Sequence, residues 1–114
     1  MLDYEIIQTG SSGNAVLVNN VLFDCGISWK ALQPHAAKVD IVLISHRHTD
    51  HIRPSTIRRL KTLFPRVGVI APEGFWEGTD KIVHEFDAML PANKSMRIKG
   101  KYDIWCTPIP HSVP

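Results

Sequence analysis

The sequence predicts an α/β layered domain, and three features carry that prediction. Val39–Ile44 is a nearly continuous apolar run with one acid near its start, the pattern of a strand covered on both faces. Within Pro54–Phe64, the residues Ile57, Leu60 and Phe64 fall on a single helical stripe. Val67–Ala71 then reads as another buried strand.

The remaining elements follow in chain order. Tyr4–Gln8 is apolar and β-branched enough for a strand. A loop of small residues, Thr9–Asn14, leads to a second strand, Ala15–Val18. Asn19-Asn20 is a two-residue link to a third, Val21–Phe23, because Asn tolerates positive φ. Ser28 is placed to cap a short helix through Leu32 that Pro34 should break. Pro54 suits the first turn of the later helix, and Pro65 ends it. Gly74–Glu77 is a candidate short helix and Lys81–Phe86 a weaker strand. Lys94–Ile98 and Tyr102–Thr107 pair as a hairpin turning at Lys99-Gly100-Lys101.

Composition narrows the class. At 114 residues the chain is expected to be a single domain over 1–114. It is 44% hydrophobic and 21% charged, which favours a folded chain over a disordered one. A net charge of +2 is too mild to argue for nucleic acid by itself. The N-terminus MLDYEIIQ has neither a basic start nor an apolar core, so no export is implied. No apolar run approaches the ~20 residues that span a bilayer, so no membrane is expected. Cys25 and Cys106 sit in apolar stretches and read as reduced thiols of a cytoplasmic protein.

The chemistry concentrates where the Val39–Ile44 strand ends. Residues 46–51 read His-Arg-His-Thr-Asp-His, holding three of the chain's six histidines. Imidazole nitrogen and carboxylate oxygen suit zinc, and also iron or manganese. His46 and His48 are two apart, so in extended backbone both point to one side and can share an ion. Asp50 and His51 lie just beyond and can aim at a neighbouring position, with room for a second ion. Arg47, Arg53, Arg58, Arg59, Lys61 and Arg66 form a basic set beside this loop. That set could attract a phosphate-bearing substrate. A solvated helix face is the preferred reading, since Arg58, Arg59 and Lys61 lie off the apolar stripe. Gly10–Asn14 could cradle an anion, but no helix follows it, and a tight turn that lets backbone approach closely is the better reading. His35 and His84 fit no ligand pattern, and the three tryptophans, Trp29, Trp76 and Trp105, are too scattered for a base-stacking platform.

These residues resemble the metallo-β-lactamase superfamily. His46–His51 matches its signature motif, Asp40–Ser45 looks like the strand before it, and Leu22–Gly26 resembles its early Asp motif. Gly10-Ser11-Ser12-Gly13-Asn14-Ala15 is similar to the YycJ/WalJ-like branch of bacterial and phage metal-dependent hydrolases or exonucleases. The resemblance implies an αββα sandwich with the metals at one edge. It implies that His46, His48 and His111 bind a first metal and Asp50 and His51 a second, with Asp24 orienting the ligand loop from behind. It also implies a bridging carboxylate and one more histidine in the second half of the sandwich. His111 lies three residues before the last residue given, so the expectation is an N-terminal half, completed by a C-terminal half or by another copy.

The function so implied is metal-dependent hydrolysis. One or two ions, zinc first, would lower the pKa of water to about 7, with Asp50 also placed to accept its proton. A phosphodiester in nucleic acid is the expected substrate. The alternatives are a β-lactam, thioester or small-ester hydrolase on the same scaffold, and a truncated metal-binding module without catalysis.

Overall fold

The computed structural model describes residues 4–10, 13–45, 52–72, 85–91 and 93–105. Among them, six strands form one mixed sheet: β1 (Tyr4–Gln8), β2 (Ala15–Val18), β3 (Val21–Phe23), β4 (Ile41–Leu43), β5 (Gly68–Pro72) and β6 (Ala88–Leu90). They lie in sequence order, β1-β2-β3-β4-β5-β6. The first three pair antiparallel through short turns, and β3 to β6 run parallel. Asn19 takes a φ of 53° at the β2–β3 turn, as its side chain type permits.

Successive strand residues face opposite sides, so the sheet has two cores. On one side Leu17, Leu22, Val42 and Val69 are buried against Leu32, Ile57 and Leu60. Leu32 comes from α1 (Trp29–Leu32), whose first turn is capped by the Ser28 hydroxyl accepting from Ala31 N at 3.2 Å. Ile57 and Leu60 come from α2 (Pro54–Leu63) and are fully buried, worth about 1.5–3 kcal/mol each in apolar transfer. On the other side Ile41, Ile70 and Leu90 lie under Met96, Ile98, Tyr102 and Ile104. These belong to a hairpin of β7 (Ser95–Ile98) and β8 (Tyr102–Trp105) that turns through Lys99 and Gly100, both at positive φ. On this side of β1 and β3, among the described residues, Tyr4 and Ile6 are 63% and 58% exposed, and Phe23 is 41% exposed.

One carboxylate fastens the hairpin to the sheet. Asp40, just before β4, accepts from Lys99 Nζ at 2.7 Å and from the Tyr102 hydroxyl at 2.8 Å, with Lys101 Nζ at 3.2 Å. The hydrogen bond from Lys99 is the largest influence holding the Asp40 carboxyl well below the usual carboxylate range, against the opposing effect of burial. Burial, then the hydrogen bond to Asp40, pushes the Tyr102 phenol up. No helix among the described residues is long and apolar enough to cross a membrane.

Two elements differ from the sequence expectation. The α-helix ends at Leu32, just before Pro34, as expected, but a 3-10 helix over Gln33–Lys38 continues the chain, with the proline in its first turn, where no N–H is needed. The strand expected over Lys81–Phe86 is not seen at Glu85 or Phe86, and residues 81–84 lie outside the described residues. The edge strand falls instead at Ala88–Leu90. Its entry is set by Asp87, whose carboxylate accepts from Val69 N at 2.7 Å and whose own N–H bonds the Val69 carbonyl at 2.8 Å.

Candidate metal centre

The site is built around the turn Asp24-Cys25-Gly26 that follows β3. Parallel pairing matches Phe23 with Leu43 and so brings the ends of β3 and β4 together. Asp24 N donates to the Leu43 carbonyl at 2.7 Å, and its φ of 68° turns the chain out of the sheet. The Asp24 carboxylate then receives Ser45: the amide at 2.7 Å and the hydroxyl at 2.9 and 2.8 Å from its two oxygens. Ile44 N bonds the Ile70 carbonyl at 2.9 Å. The chain is therefore fixed up to the residue before His46. It is fixed again immediately after His51: Ile52 bridges to Cys25 in parallel fashion, and Arg53 N donates to the Cys25 carbonyl at 2.7 Å. Both ends of the His46–His51 segment are thus anchored on consecutive residues of one turn.

The small-residue loop packs against the same turn. Asn14 closes it through Gly10 N to Oδ1 at 3.1 Å and Nδ2 to the Gly10 carbonyl at 2.9 Å. Gly26 N donates to the Asn14 carbonyl at 3.0 Å. A Cβ on Gly13 would collide with the Gly26 carbonyl oxygen, so this position needs the absent side chain for close approach.

Of the residues expected to form the site, Asp24 is in view, and it is 8% exposed. His46, His48, Asp50, His51 and His111 lie outside the described residues. Among the described residues no group of three or more His, Cys, Asp or Glu side chains could hold a metal ion. Burial first, then the Asp24 charge, pushes the Cys25 thiol up to about 12, with Arg53 opposing, so the thiol stays protonated at neutral pH.

The basic residues of α2, and Arg66 just after it, have partners within the chain. Arg58 Nε lies 3.5 Å from Glu85, and Arg59 stacks over Trp29 at 5.5 Å. Lys61 bonds the Glu85 carbonyl at 3.0 Å and the Asp87 carboxylate at 3.0 and 3.1 Å. Arg66 donates to the Ala37 carbonyl at 3.1 Å. These contacts favour the solvated-face reading for Arg58, Arg59, Lys61 and Arg66. His35 Nδ1 lies 3.1 Å from Glu5, on β1.

The family model described as the beta-lactamase superfamily domain matches residues 19–114, most of the chain. The chain belongs to the β-lactamase superfamily. Among curated proteins, none matches it. Membership supports a hydrolase-type function in a superfamily that is generally metal-dependent, and the α/β layers described above agree with the metallo-β-lactamase type of fold. Within a β-lactamase superfamily domain, the chemistry of the donor set fits a metal ion: three imidazoles and a carboxylate in a segment whose two ends are pinned beside a buried acid. Sequence reasoning did not single out Ser45 or the Cys25–Arg53 contact. The signal for Ser45 was its place directly before the first histidine. Its contact with an acid 21 residues earlier could be found only through strand pairing.

Proposed function

We propose that this chain is a metal-dependent hydrolase that cleaves phosphodiesters, with nucleic acid as its substrate class. His46, His48 and His111 would hold one ion and Asp50 and His51 a second, with zinc favoured over manganese or iron. The observation that carries the reading is the double anchoring of His46–His51 on Asp24 and Cys25. A donor segment fixed at both ends loses less conformational freedom when it closes on an ion. Such an ion, when held, supplies Lewis acidity that activates water near neutral pH and offsets charge on a phosphoryl oxygen. Asp50 would take up the proton released by the attacking water, and Asp24 would hold the segment's entrance. The phosphodiester rests on the resemblance of Gly10–Ala15 to the YycJ/WalJ-like branch. The basic residues on and after α2 add little, since Arg58, Arg59, Lys61 and Arg66 are engaged within the chain.

The test is cleavage of DNA and RNA by the full chain, with metal content measured before and after chelation. Cleavage should vanish with the metal, return with added zinc or manganese, and be lost in His48→Ala. Undiminished cleavage by fully chelated protein would refute the proposal. Turnover of nitrocefin or a thioester, with nucleic acid left intact, would move the substrate to the other class of this scaffold.

A further inference from the structure

We propose that Ser45 is a positioning residue for the metal-ligating segment, its hydroxyl locking the direction in which the chain enters His46. The inference rests on the reading that His46 is a metal ligand.

The geometry is specific. A single hydrogen bond from the Ser45 amide would leave the residue free to rotate about N–Cα. A second contact, from the hydroxyl to the same carboxylate at 2.9 and 2.8 Å, fixes Cβ as well. With N and Cβ both held, the tetrahedral Cα leaves one direction for its bond to the carbonyl carbon, and that bond leads to His46. The carboxylate is itself a rigid reference. Asp24 is buried, its amide is bonded to the Leu43 carbonyl at 2.7 Å, and the preceding strand lies between β2 and β4. Ser45, by contrast, is exposed, so its side chain fills no core space. A hydroxyl in that position contributes little to packing and much to orientation. Outer partners that orient ligands typically change metal affinity about 10–100-fold when removed.

The experiment compares wild type, Ser45→Ala and Ser45→Thr as full chains, titrated with cobalt(II) chloride as a visible-spectrum probe. Thermal melting of each metal-free protein is measured alongside. Ser45→Ala should weaken cobalt binding about tenfold or more and alter its visible bands, while the metal-free melting temperature falls only by the modest amount that one lost hydrogen bond to Asp24 accounts for. Ser45→Thr, which keeps the hydroxyl, should restore both affinity and spectrum. Wild-type cobalt affinity and spectrum in Ser45→Ala would overturn the positioning role and leave the metal site standing. A loss of affinity matched by an equal loss of metal-free stability would assign Ser45 to the fold and overturn it too. Absence of cobalt binding by the wild type would overturn the metal reading itself, and this inference with it.

Discussion

Asp24 combines two demands that few side chains meet. Its φ of 68° lies in the left-handed region, where Asp and Asn are tolerated far better than Ala, and its carboxylate accepts two groups of Ser45. Asp24→Ala should therefore cost about 2–4 kcal/mol, from backbone strain plus lost charge-assisted hydrogen bonds. Asp24→Asn, which keeps the backbone preference, should cost less; urea unfolding of both variants checks the order. At Gly13 the obstacle is steric. Gly13→Ala drives a methyl into the Gly26 carbonyl, and a loss of about 1–3 kcal/mol is expected, read from the same unfolding curves. Cys25 gives a third residue-scale expectation. Burial keeps its thiol protonated to a pH of about 12, so iodoacetamide should modify it only after unfolding. Peptide mapping at neutral pH, with and without denaturant, reads this out. Rapid native labelling at Cys25 would contradict the burial.

At the scale of elements, the hairpin β7–β8 packs its apolar face on the sheet and is tied to it by one acid, Asp40. The folded-state pKa of Asp40 is depressed, so its contribution is fully present above the ordinary carboxylate pKa of about 4 and is lost as pH falls below it. Asp40→Asn should lower the melting temperature at neutral pH, and the gap to wild type should narrow steadily below about pH 4. A gap independent of pH would mean that the ion pairs do not fasten the hairpin. Helix α2 makes the opposite kind of contact, apolar and central. Its sequence stripe named Ile57, Leu60 and Phe64, of which the first two are fully buried and the third is partly buried against the same core. Leu60→Ala should cost about 2–5 kcal/mol, enough to threaten a domain of this size. The last strand of the sheet, β6, illustrates where sequence pattern fails. Three residues, Ala88–Leu90, are too few to display a period, and β6 is located by Asp87 capping the neighbouring strand rather than by its own composition.

For the molecule as a whole, described residues outside the His46–His51 segment already form a six-stranded sheet with a core on each side. The frame that would receive an ion should therefore persist without one. Chelation is expected to leave the far-ultraviolet circular dichroism unchanged at 25 °C. It should also lower the melting temperature by an amount that grows with free metal over Kd. Unfolding on chelation alone would make the metal a structural element.

Most of the element plan could be read from the sequence, because helical stripes, apolar runs, caps and turn residues are properties of neighbouring positions. Tyr4–Gln8, Ala15–Val18 and Val21–Phe23 were legible on those grounds, as was the Ser28 cap. The His-rich segment 46–51 also stands out in the sequence by residue types at close spacing, and its role as a donor set belongs to the proposal. What only the tertiary structure decided is which distant residues meet. Parallel pairing of β3 with β4 sets Asp24 against Ser45, and the bridge from Cys25 to Ile52 returns the chain to the same turn. It also decided that the cations of α2 find partners on Trp29, Glu85 and Asp87. Such pairings come from burying one surface against another across long stretches of chain, and no local pattern encodes them.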